Sequence, residues 1–136
     1  MAGGTYLRST PALAAGWPQA AFAAKAVNQV LAALYGRTDA IENPAISLNA
    51  PYQAENGALV PVEVSTTLPR VQSIAIIVDK NPRPLVAVTK LSGAEPFTGL
   101  HIRMSETSAV RAVVQSDGQL YTNTKLVRVT VSGYGG

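Results

Sequence analysis

A single histidine, no cysteine and eight carboxylates bound the chemistry open to these 136 residues. Without a thiol there is no disulfide, no thiolate nucleophile and no Cys-ligated metal or iron–sulfur cluster. His101 is the one conventional general base. A serine nucleophile needs such a base beside it, and no Gly-x-Ser-x-Gly elbow occurs. Asp39, Glu42, Glu55, Glu63, Asp79, Glu95, Glu106 and Asp117 are dispersed, with no spacing that pairs two of them as acid and base. Asp79 beside Lys80, and Glu106 near Arg103, read as surface pairs. A glycine cradle for phosphate needs a strand before it and a helix after it. Neither Gly3-Gly4 nor the C-terminal glycines meet that condition. The residues therefore make a poor enzyme and a fair binding or interaction module, with no metal and no cofactor expected.

Composition narrows the partners. Lys plus Arg number 11 against 8 Asp plus Glu, a net charge of +3, and the cations are scattered singly. With two Phe and one Trp there is little surface for base stacking, so nucleic acid is not an expected partner. No run of 18 apolar residues could span a membrane as a helix. At 47% hydrophobic and 14% charged, the chain can bury a core.

The elements that would position any site follow from periodicity. Residues 1–16 have no period and read as a mobile leader. Pro18 suits a first helical turn, and Ala23, Val27, Val30, Leu31 and Leu34 fall on one stripe. Gly36 suits a left-handed cap, so one helix is predicted over about 18–35. The period then changes to two. Strands are predicted at 46–48, 59–64, 71–78, 85–91, 100–104, 109–114 and 125–131. Pro61 lacks a ladder donor, which predicts an edge strand or a bulge there. Asn81-Pro-Arg-Pro84 and Asp117-Gly118 are turns. Seven short strands at this spacing imply an immunoglobulin-like β-sandwich with one N-terminal helix.

Two segments stand apart. Val71–Val78 is almost wholly apolar, so Ile74, Ile76 and Val78 are either central core residues or a partner interface. Ser132, Gly133, Tyr134, Gly135 and Gly136 follow the last strand. Five such residues make either a frayed terminus or a flexible arm that reaches about 17 Å when extended.

Five stretches in register resemble the SoxY sulfur-carrier subunit of the thiosulfate-oxidising (Sox) system. They are Ala54–Val62, Lys80–Leu85, Ile102–Ser108, Asp117–Tyr121 and Val127–Gly136. The resemblance runs from about residue 17 to the end. It implies a helix and sandwich body at 17–131 and an arm at 132–136. It also implies a heterodimer with a SoxZ-like sandwich subunit and a periplasmic mature chain that has lost its signal peptide. In such proteins a Gly-Gly-Cys-Gly-Gly arm carries sulfur covalently on its Cys. The arm visits a haem c protein that conjugates thiosulfate, a thiosulfohydrolase and a sulfane dehydrogenase. A homodimer is also open.

This sequence departs from that family at the carrier position. Ser132 and Gly133 stand on the first two glycines, and Tyr134 stands on the Cys. A phenol with a pKa near 10 forms no persulfide. Two origins fit: a carrier disarmed by replacement of its Cys, and a natural non-carrier relative. The competing class is a generic periplasmic interaction module with no sulfur chemistry.

Overall fold

The computed structural model describes residues 19–91 and 95–130. The helical stretch is two helices rather than one. Helix α1 (residues 19–23) ends in a tight turn, with Ala24 N–H donating to the Ala21 carbonyl at 3.2 Å. Ala26 is extended (φ −142°, ψ 152°), and α2 (Val27–Tyr35) starts after it. The Gln29 side chain, three residues into the helix, accepts from the Lys25 backbone N–H at 3.1 Å and ties down the turn ahead of the uncapped Ala26. The break resets the phase. Ala23, predicted on the apolar stripe, is exposed, and Ala21 is buried in its place. Gly36 ends α2 as predicted, at φ 72° with its N–H on the Ala32 carbonyl at 2.9 Å.

Among the described residues nine strands form two sheets: β1 (Ala40–Glu42), β2 (Ile46–Asn49), β3 (Gln53–Ala54), β4 (Val60–Thr66), β5 (Val71–Val78), β6 (Leu85–Lys90), β7 (Phe97–Ile102), β8 (Ser108–Ser116) and β9 (Gln119–Val129). The larger sheet runs β1-β9-β8-β5-β6, with β3 paired to the far end of β9. The smaller sheet runs β2-β4-β7. The molecule is thus mainly β, a sandwich of two sheets with helices on one outer face. β8 and β9 join through Asp117 (φ 54°) and Gly118 (φ 77°), the two positive φ angles that the tight hairpin needs.

Alternation sorts the side chains between layers. Val60, Val62 and Val64 of β4 point inward, while Pro61 and Glu63 are exposed. They meet Ile74, Ile76 and Val78 of β5 and Val110, Ala112 and Val114 of β8 in the sandwich core. Ala75, Ile77, Val113 and Leu120 point the other way and are covered by Ala21, Val30, Leu31 and Leu34 of the helices.

Two strand expectations need correction. β4 is the middle strand of its sheet, not an edge, and carries no bulge. Pro61 is tolerated because β2 ends at the Asn49–Glu63 pair, so Pro61 pairs only with His101 of β7. Ile74, Ile76 and Val78 lie 1%, 1% and 0% exposed inside the sandwich, so they offer a partner no surface. The apolar run of β5 reflects cover on both faces by its own chain.

Candidate functional site

The described chain ends where the C-terminal tail begins, and its last residues are held tightly. β9 is eleven residues long, and two different strands share its outer edge. β1 pairs in parallel with Leu120–Thr122, and β3 pairs in parallel with Arg128 and Val129. Arg128 N–H donates to the Tyr52 carbonyl at 2.9 Å, and Thr130 N–H donates to the Ala54 carbonyl at 3.1 Å. The intervening Val129 N–H points the other way, toward β8. There β8 has run out, its last pair with β9 being Ser108–Val127. The Thr107 hydroxyl replaces the missing backbone acceptor, taking the Val129 N–H at 2.9 Å. Three successive N–H groups are therefore satisfied up to Thr130, and Val127 is anchored in the core. On the outer side the Arg128 guanidinium lies 6.0 Å from the centre of the exposed Tyr52 ring.

The predicted arm residues Ser132, Gly133, Tyr134, Gly135 and Gly136 lie outside the described residues, as does the predicted leader at 1–16. What the structure brings together is their point of departure. Tyr52, Gln53, Ala54 and Thr107 were not legible in the sequence as its clamp. A two-residue strand has no period, and a threonine standing in for a strand has no sequence mark.

The other chemically capable groups are dispersed or already engaged. His101 is exposed on β7 opposite Pro61, in a shallow groove of about 320 Å³ on the outer face of the small sheet. Glu63 and Phe97 line the same groove. The Phe97 ring lies over Gly99, within 3.2 Å of where a Cβ would stand, and covers the bare backbone there. Asp79 pairs not with Lys80 but with Arg111 across the sheet, a two-pronged bond with contacts of 3.1 and 2.7 Å. This pair is half-buried beside the start of α2, in a groove of about 410 Å³.

Arg37 grips Asp39 with both prongs at 2.6 Å, and hydrogen bonding from the guanidinium holds the Asp39 carboxyl down at about 2. Arg70 holds Asp117 in the same way and lowers its pKa. The Tyr35 phenol is pushed up by burial, partly offset by its 2.9 Å hydrogen bond with the Ser73 hydroxyl. Among the described residues no three His, Asp or Glu side chains converge to hold a metal. None of the described helices is long and apolar enough to cross a membrane.

The family model of the sulfur oxidation protein SoxY matches residues 31–133. The chain belongs to the SoxY family. Among solved structures it is similar to the sulfur carrier protein SoxY from Chlorobium limicola f thiosulfatophilum. The identity is 36%, the TM-score is 0.71, and the match covers 84% of this chain and 100% of that one. A superoxide reductase (neelaredoxin) from Ignicoccus hospitalis matches at 16% identity and a TM-score of 0.56, over 62% of this chain and 80% of that one. That likeness shows the fold alone. No curated protein matches the chain. SoxY is a sulfur carrier subunit and not by itself an enzyme.

Proposed function

We propose that the chain is a SoxY-type scaffold whose tail, residues 132–136, is presented to periplasmic sulfur-oxidising enzymes without a thiol to load. The body at 17–131 pairs with a SoxZ-like subunit. The observation that carries this reading is position 134. The family resemblance puts the carrier Cys there, the chain has Tyr, and no Cys occurs anywhere else to take its place. A phenol cannot accept thiosulfate sulfur as a disulfide-type link, because only a thiolate can both attack and hold it. Tyr134 can still enter a cleft and bind through its ring and hydroxyl. The chain therefore docks where a carrier docks and leaves unloaded. The clamp at Arg128, Val129 and Thr130 supports this reading, since it fixes the last described residues before the Gly-rich tail sequence.

The test is a reconstituted system containing thiosulfate, the SoxZ-like subunit, the conjugating haem protein and the downstream enzymes. With the chain as it stands, no thiosulfate-dependent electron release is expected. With Tyr134→Cys, release is restored. Release from the unaltered chain would contradict the reading, and so would a Tyr134→Cys chain that pairs with its partner subunit yet supports none.

A further inference from the structure

Tyr134 and the three residues before it follow the last clamped position, Thr130. Fully extended, they reach about 13–14 Å. Any cleft that encloses residue 134 must therefore bring its rim against the surface around Thr130. That surface has a definite character. Leu126, Arg128 and Thr130 share the outer side of β9, while Val127 and Val129 pack inward. Alternate residues stand about 7 Å apart, so Leu126 and Arg128 fall within the same radius as the tail.

Tyr52 is 65% exposed and Leu126 50%, two large side chains that the core does not use. Arg37, Arg70 and Arg111 are each tied to an aspartate, whereas Arg128 has no ion pair among the described residues and lies against the Tyr52 ring. Its position is fixed, because the Arg128 N–H to Tyr52 carbonyl bond belongs to the same clamp that holds the tail. Tyr and Arg anchored on a rigid backbone are the residue types that dominate protein interfaces.

We propose that Tyr52, Leu126 and Arg128 form a docking platform for the rim of the enzyme cleft the tail enters. The rim offers apolar surface to Tyr52 and Leu126 and a carboxylate to Arg128. One aimed carboxylate fits better than a broad acidic field, because Glu55 and Glu106 flank the clamp residues Ala54 and Thr107. The proposal rests on the carrier-type reading of the tail, and its test separates the two.

The test uses the full Tyr134→Cys chain with its SoxZ-like subunit, the conjugating haem protein, an excess of an oxidised electron acceptor and thiosulfate, and follows sulfur uptake at low substrate, each S–S bond formed passing two electrons to the acceptor. Adding Arg128→Glu should lower the apparent kcat/KM for the carrier about tenfold or more, with a weakened salt dependence. Leu126→Ser and Tyr52→Ala should each lower it severalfold. Arg70→Glu, an exposed charge reversal at the opposite end of β9, should leave it within about twofold, the scale of a remote surface change. Melting curves confirm that each variant folds. If Tyr134→Cys takes up sulfur and Arg128→Glu slows it by less than about twofold, the platform is wrong and the carrier reading stands. If Tyr134→Cys takes up none, both fall.

Discussion

β5 and β4 are both interior strands of their sheets, yet they read as opposites. β5 is buried at six consecutive positions, Ser73 to Val78. β4 alternates buried and exposed from Val60 to Val64. The difference comes from what lies outside each sheet. α1 and α2 cover the outer face of β5, so both of its faces had to become apolar. Nothing in the described chain covers the outer face of β4, so Pro61 and Glu63 stay in water and the Phe97 ring lies over Gly99 nearby. Hydrophobic pattern therefore reports how many faces are covered, but not by what. The apolar run of β5 left a core strand and a partner interface equally open in the sequence; its cover is the other sheet on one face and the chain's own helices on the other.

The largest test of this contrast is Ile76→Lys. The side chain is 1% exposed between the sheets, and burying an unpaired ammonium there costs more than about 4–5 kcal/mol. Small domains are stable by only about 5–15 kcal/mol, so chemical denaturation should find little or no cooperative folded state. A folded monomer that has merely lost a partner would restore the interface reading of β5.

Next in size is a matched pair on the two outer faces. Ile77→Ala, under the helices, should destabilise by about 2–5 kcal/mol. Glu63→Ala, on the bare face of β4, should change stability by less than about 0.5 kcal/mol in urea unfolding. Equal effects would mean that the faces are not differently covered. Asp79→Ala leaves the half-buried Arg111 guanidinium without its carboxylate and should cost about 1–3 kcal/mol in the same assay.

The smallest effect is in pH. Asp39 is held at about 2 against an ordinary 3.8, so its contribution is present above about pH 4 and is lost as pH falls through 2. Asp117 acts in the same direction. Both serve the large sheet, so Asp39→Asn with Asp117→Asn should flatten the acid limb of a melting profile. Glu63→Gln should not. At the alkaline end the raised Tyr35 pKa works oppositely. Its stabilisation is present below about pH 10 and is lost above, and Tyr35→Phe should abolish that loss.

Much of the fold was legible because its signals are local. Alternation in β4, the Asp117-Gly118 turn and the Gly36 cap each act within a few residues. β1 and β3 were not legible, since three and two residues show no period and exist only because β9 offers them an edge. The polar first half of β9 was missed for a related reason. Tyr121, Thr122, Asn123 and Thr124 are held by pairing along β8, and the buried Thr122 hydroxyl donates to the Ala112 carbonyl at 2.9 Å. The helix break escaped because Ala26 carries no capping side chain to mark the start of α2, and the Gln29 side chain bonds instead to the Lys25 N–H ahead of the helix. At the candidate site the tail's composition was plain in the sequence. Its foot was not, because Tyr52, Ala54 and Thr107 reach β9 across more than twenty residues of chain.

The most direct measurement is the intact mass of the chain and of Tyr134→Cys after incubation with thiosulfate, the SoxZ-like subunit, the conjugating haem protein and an oxidised electron acceptor that takes the two electrons released when the S–S bond forms. The account predicts an unchanged mass for the chain as it stands and a thiosulfate-derived adduct on Cys in the variant. An adduct on the unaltered chain, or none on a variant that pairs normally, would contradict it.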